Sequence, residues 1–168
     1  MIVSFRLNDK DVTLEVPAER RLLDILRDAQ GLTGTSEGCG RGSCGSCFVF
    51  VDGEVMASCL VPAFRAAGRR ITTIERLREE KLFADMEQAV DDIVQKGACR
   101  AGLLVTLYSL LGQVDRMSRE EFLAALSGNI CPCTGYRQLY DRLRRFASLR
   151  GKRWQARRNE SMSRLPGI

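Results

Sequence analysis

Four of the seven cysteines fall within 21 residues, spaced Cys39-x4-Cys44-x2-Cys47-x11-Cys59. The segment "GCGRGSCGSCFVFVDGEVMASC" that holds them also contains Gly38, Gly40, Gly42 and Gly45. Three thiols come from one loop, so that loop must wrap around a shared point. The fourth arrives across "CFVFVDGEVMASC", which reads as a β-hairpin because Asp52-Gly53 suits the two positive-φ positions of a tight turn between apolar runs.

What such a loop grips depends on whether its thiols stay reduced. The opening "MIVSFRLNDKDVTLEV" has no basic and apolar leader and no twin arginine. The longest apolar run, "GLLVTLYSLLG", is too short to span a bilayer. The expectation is a cytoplasmic protein with no membrane association, in which cysteine clusters are metal sites rather than disulfides. The odd number of cysteines agrees.

The x4 and x2 gaps are the plant-type [2Fe–2S] spacing. Zinc sites favour paired C-x2-4-C units, often with histidine. Histidine is absent from this chain, so the spacing reads as an iron–sulfur loop, with buried structural thiols as the plain alternative. A four-thiolate [2Fe–2S] cluster is formally dianionic when oxidised. Gly40, Gly42 and Gly45, with Gly38, would let backbone N–H groups turn toward sulfur. Arg41 either adds positive charge there or stays in solvent.

Around the loop, "IVSFRL" and "VTLEV" alternate across the turn "NDKD" as a hairpin, with Ile2 out of phase. "RRLLDILRDAQG" carries a helical stripe closed by Gly31, and "RRITTIE" reads as one more strand. This is a small α+β unit ending near residue 76, followed by a charged linker over 75–81. Beyond it the pattern is helical. "FADMEQAVDDIVQKGA" places Phe83, Met86, Val90 and Val94 on one stripe, and "GLLVTLYSLLG" reads as a buried helix. "SREEFLAALSG" opens on the capping-box pair Ser118 and Glu121 and closes at Gly128, and "TGYRQLYDRLRRFASL" is amphipathic. Four helices with short connections make a bundle.

The net charge of +5 belongs wholly to the end of the chain. From Arg150 onward six basic residues face a single acid, Glu160, which leaves the first 149 residues neutral. Nucleic acid is not expected as a partner, because no stacking aromatic accompanies those charges beyond Trp154. Without histidine there is no Ser/His/Asp set. Neither a Walker motif nor a G-x-G-x-x-G after a strand occurs, so no catalytic residue is assigned and electron transfer is the expected role.

Cys99, Cys131 and Cys133 remain, each just ahead of a predicted helix, where the helix dipole favours an anionic centre. Here the chain resembles the small iron–sulfur subunit of the molybdenum hydroxylases, the xanthine dehydrogenase and aldehyde oxidoreductase family. "GCGRGSCGSCFVFVDGEVMASC" matches the family's first-cluster motif, and "ALSGNICPCTGYRQL" its later C-x-C segment, within a likeness covering roughly 2–148. The resemblance implies a β-grasp ferredoxin-like domain (1–76), a four-helix domain (77–149) and a basic tail (150–168). It implies one [2Fe–2S] cluster on Cys39, Cys44, Cys47 and Cys59, and a second on Cys99, Cys131 and Cys133. Gln95 and Cys133 match positions beside the pterin.

One position departs from the family. Where it reads Gln-Cys-Gly-x-Cys, this chain reads "QKGAC", with Lys96 in place of a ligand. An ammonium, with a reference pKa of about 10.4, must lose a proton to bind iron. A neutral ligand there would leave the cluster monoanionic and raise its potential, as neutral ligands do in Rieske centres. Three readings stand: no second cluster, a cluster on three cysteines plus Lys96, water or another oxygen ligand, or a different occupant. By resemblance, electrons pass from a molybdopterin-binding large subunit through both clusters to an FAD-binding medium subunit. The alternatives are a one-cluster binding or regulatory module whose helical domain docks a partner, and a free-standing ferredoxin.

Overall fold

A computed structural model describes residues 1–150, so the tail expected at 150–168 lies, beyond its first residue, outside the described residues. The N-terminal part is a five-stranded mixed sheet in the order β2-β1-β5-β3-β4. The strands are β1 (Ile2–Leu7), β2 (Lys10–Glu15), β3 (Phe48–Val51), β4 (Glu54–Ala57) and β5 (Arg70–Thr72). β1 and β2 pair antiparallel through a turn in which Asn8 and Asp9 have φ of 49° and 66°. β3 and β4 pair across Asp52 and Gly53, at 51° and 87°, so both hairpins use the turn geometry that fits strand twist. β5 runs parallel to β1 and antiparallel to β3, which closes a β-grasp sheet.

One face of the sheet buries Val3, Phe5, Leu7, Val49, Val51 and Ile71 against Leu22, Ile25 and Leu26. The latter come from α1 (Leu22–Asp24) and the wider turn over Ile25–Ala29 that continues it. Gly31 follows at φ 67°, as expected of a residue ending a helix.

The second part packs α3 (Ile74–Arg78), α4 (Lys81–Ala89), α5 (Arg100–Leu110), α6 (Arg119–Ala125) and α7 (Tyr136–Arg150) around their own core, while α2 (Ala63–Ala66) stays with the sheet. The charged stretch expected as a linker is α3, because Ile74 and Leu77 are buried one turn apart. "RRITTIE" is accordingly a strand only over Arg70–Thr72. α4 ends at Ala89, short of the predicted stripe. Two acids, Asp91 and Asp92, follow at the helix end where negative charge is unfavourable. Val90 and Val94 are still fully buried, in the turn beyond it. The capping box of Ser118 and Glu121 is formed, but α6 stops at Ala125, ahead of Gly128.

β3 joins the two parts. Val49 and Val51 enter the sheet's core, whereas Phe48 and Phe50 pack on the helical core. Burial on both faces explains why "FVFV" lacks polar alternation. The tightest contact is backbone to backbone: a methyl at Gly102 of α5 would overlap the carbonyl of Gly45 in the cysteine loop. Among the described residues no helix is long and apolar enough to cross a membrane.

Candidate metal centres

The cysteine loop leaves α1, crosses over the end of the sheet and enters β3. Arg21 anchors its start by pairing with Asp24 at 2.6 Å and Glu37 at 2.7 Å. The Arg27 guanidinium donates to the carbonyls of Thr33 and Thr35. At the far end, the Ser58 hydroxyl and N–H both donate to the Cys47 carbonyl, at 2.7 and 3.2 Å. This ties the base of the loop to the residue preceding Cys59.

The four thiols interact mainly in two pairs, Cys39 with Cys44 and Cys47 with Cys59, and Cys39 also acts on Cys59 across them. Cys47 and Cys59 are buried with Leu23, whereas Cys39 and Cys44 are half-buried. Among the described residues no set of three or more Cys, Asp or Glu side chains converges on one ion point. Four thiols at this spacing, with no histidine, are the donor set that two bridged irons require and depart from the paired units of zinc sites.

The backbone around these thiols donates. The N–H groups of Arg41 and Ser43 lie 3.5 and 3.3 Å from Cys39 Sγ. The Ser43 hydroxyl, then the Arg41 amide, hold the Cys39 thiol down at about 6. Burial pushes Cys59 up to about 11, assisted by Cys47 and opposed by the Gly42 N–H. Gly40, Gly42 and Gly45 take φ of 65°, 77° and 73°. At Gly42 a Cβ would meet the exposed Leu60 side chain, which can turn aside, so the positive φ is what favours glycine there. Arg41 is exposed and makes no ion pair among the described residues.

The second set lies beside the first. Ile130 N–H donates to the Cys44 carbonyl at 2.9 Å, one residue before Cys131. Cys99, at the start of α5, has its sulfur 2.9 Å from that of Cys131. Burial pushes Cys99 up to about 11, with the Cys131 contact adding. Burial also pushes Cys131 up, but hydrogen bonds from Cys99, Thr134 and the amides of Cys133 and Thr134 outweigh it, and the thiol ends below its ordinary value. The Thr134 hydroxyl lies 3.1 Å from that sulfur, and the Cys131 N–H donates to the Tyr136 hydroxyl at 2.8 Å. Cys99 and Cys131 are brought together, Cys133 stands exposed beside them with its amide donating to Cys131, and Gln95 and Lys96 are exposed.

Asn129 is the residue that spacing did not reveal. It is 5% exposed, and neither its amide nitrogen nor its amide oxygen has a partner among the described residues. Its Nδ2 would sit 2.5 Å from a Cβ at Gly45, the neighbour of Cys44, and Asn129 itself lies two residues before Cys131. A buried, unpaired amide is costly. A sulfur-rich anionic centre beside it would accept its N–H, so this orphan, the amides around Cys39 and the two thiol pairs together fit a [2Fe–2S] cluster at the first set. The second set fits an all-cysteine cluster less well. Four terminal ligands are needed, and that part of the chain offers three cysteines and no histidine.

Comparison with known proteins follows the same division. Residues 5–73 match the family described as a 2Fe-2S iron-sulfur cluster binding domain, and residues 73–144 match a [2Fe-2S] binding domain. The chain is 36% identical to caffeine dehydrogenase subunit gamma of Pseudomonas sp. (strain CBB1), over 85% of this chain and 89% of that one. It is 37% identical to the nicotine 6-hydroxylase small subunit of Paenarthrobacter nicotinovorans, covering 83% and 85%. Among solved structures, quinoline 2-oxidoreductase from Pseudomonas putida 86 superposes with a TM-score of 0.77 at 37% identity, over 90% of this chain and 98% of that one. Aldehyde oxidoreductase from Desulfovibrio gigas gives 0.77 at 34%, over 90% of this chain and 17% of that longer one.

Proposed function

The chain belongs to the family of small [2Fe–2S] subunits of the molybdenum hydroxylases, and from that premise we propose that it passes single electrons between a molybdopterin-binding large subunit and an FAD-binding medium subunit. A bound [2Fe–2S] cluster takes up and releases one electron at a time. Cys39, Cys44, Cys47 and Cys59 would hold the first, with the amides of Arg41, Gly42 and Ser43 offsetting its negative charge. Leu23 and the hairpin keep water from the Cys47 side. Cys99, Cys131 and Cys133 would supply thiolates to the second. Exposed Cys133 and Gln95 would face the molybdopterin subunit. We assign 1–76 to the ferredoxin-like domain, 77–149 to the helical domain and 150–168 to a tail, and we place the protein in the cytoplasm, where its thiols stay reduced.

The observation that carries this reading is the Ile130–Cys44 hydrogen bond, which ties the two thiol sets together. A carrier needs two centres at fixed separation, and a docking module does not. The alternative of a one-cluster regulatory module is not favoured, because the relatives that align across both parts are named as subunits of dehydrogenases and hydroxylases.

The test is anaerobic purification of the tagged full chain, co-expressed with a molybdopterin-binding and an FAD-binding subunit of the same family. The expected complex contains iron, molybdenum and FAD, and substrate addition reduces the first cluster, so that its EPR signal appears. A complex with neither molybdenum nor flavin overturns the reading.

A further inference from the structure

The second thiol set contains a mismatch that its chemistry can resolve. Two sulfide-bridged irons take four terminal ligands. The matching domain, 73–144, contains Cys99, Cys131 and Cys133 as its only cysteines, and the chain has no histidine. The four other cysteines are committed to the first set.

The three thiols are not equivalent. Cys99 and Cys131 are in sulfur–sulfur contact at 2.9 Å. Two thiolates on one tetrahedral metal, each bonded at about 2.3 Å, sit roughly 3.7 Å apart, so these two need separate by less than an ångström to share an iron. They also occupy the sheltered side: Cys131 is buried and Cys99 half-buried. Cys133 is exposed, and among the described residues its thiol makes no hydrogen bond to another thiol, although it stands near enough to Cys99 to act on it. Lys96 is exposed too, and it forms neither hydrogen bond nor ion pair among the described residues. To ligate, it would have to shed its hydration, its proton and its rotamer freedom, whereas solvent reaches an exposed metal without those costs.

We infer that the second centre is a site-differentiated [2Fe–2S] cluster: Cys99 and Cys131 hold the inner iron, and Cys133 holds an outer iron whose remaining position is solvent-derived and exchangeable. That position would take small neutral or anionic donors such as imidazole, cyanide or a free thiol. The inference rests on the electron-carrier reading above and concerns only its second centre.

The full chain, loaded and purified anaerobically, is titrated with imidazole and followed by EPR of the reduced protein, beside Lys96→Ala and Lys96→Cys. About four irons and two distinct signals per chain are expected. Imidazole should shift the second signal alone, and equally in Lys96→Ala. Lys96→Cys should abolish the response and lower the second potential, because a thiolate replaces a neutral ligand. About two irons and one signal, rising to four and two in Lys96→Cys, would show an empty pocket and overturn the inference. So would a second signal that answers imidazole only after Lys96→Ala, which would make Lys96 the ligand. The first signal reports folding in every variant. Its absence from the unaltered chain would sink the electron-carrier reading, a different failure.

Discussion

The backbone N–H of Ile130 donates to the carbonyl of Cys44 at 2.9 Å, so a cysteine of the first set is one hydrogen bond and one residue away from Cys131 of the second. The Ile130 side chain is 61% exposed and plays no part in that link. Ile130→Pro removes the donor, strands the carbonyl and restricts Asn129. It should cost about 1–3 kcal/mol. Ile130→Ala keeps the N–H and should be close to neutral. Chemical denaturation of the two variants, with EPR linewidths of the loaded protein, separates the backbone contribution from that of the side chain.

Gly102 and Gly45 hold α5 against the cysteine loop, because a methyl at Gly102 would overlap the Gly45 carbonyl. The obstacle is backbone, which cannot rotate aside. Gly102→Ala should therefore destabilise by about 1–3 kcal/mol, as overpacking does, and broaden the first-cluster signal. Gly97→Ala is the control. Nothing lies within 4 Å of a Cβ there, and a thermal melt should show no loss.

Local patterns made most of the fold legible, and contacts between distant segments accounted for what they missed. The alternating runs around "NDKD" and around Asp52-Gly53 reveal both hairpins, although the first turn is only Asn8-Asp9 and β2 already begins at Lys10, and the spacing reveals the first thiol set. Residues 75–81 read as a linker because six of the seven are charged. Yet Arg76 pairs with Asp9 at 2.7 Å, and Ile74 with Leu77 makes a buried turn. The end of α4 was missed because Val90 and Val94 keep helical spacing while lying in a turn. Asn129 carried no signal at all. One polar residue beside a C-x-C says nothing of its burial, which Gly45 in another domain determines.

Asn129 yields a prediction that reverses with cluster loading. In iron-free protein its amide has no partner, so Asn129→Leu, similar in size, should leave stability unchanged or slightly raised. In loaded protein the same change removes an N–H donor from the vicinity of sulfur. Hydrogen bonds to sulfur favour the more negative, reduced state, so at least one cluster potential should fall. Redox titration and denaturation of both forms are the measurements. A potential unchanged beside a clear loss of apo stability would show that a buried water, not a cluster, satisfies the amide.

Arg100 fixes the approach to Cys99 from both sides. Its guanidinium, 11% exposed, donates to the Val94 carbonyl and pairs with Glu87 at 3.2 Å and Asp91 at 2.6 Å, clamping the turn that carries Gln95 and Lys96. Arg100→Met keeps the aliphatic length but strands the Val94 carbonyl and leaves Glu87 to Arg78 alone, and should cost about 1–3 kcal/mol. The ion pair also sets a pH dependence. Burial pushes the Glu87 carboxyl up, but Arg78 and then Arg100 more than offset it, so it titrates below its ordinary 4.5 when folded. A carboxyl depressed by folding stabilises fully above its unfolded value and loses that contribution as pH falls through the folded one. Stability should therefore decline on acidification below about 4.5, with the slope set by protons bound on unfolding. Glu87→Gln should flatten that acid limb while lowering the plateau near neutral pH. Urea denaturation from pH 3 to 7 tests both, and an acid limb as steep in Glu87→Gln as in the unaltered chain would assign the loss to other carboxylates.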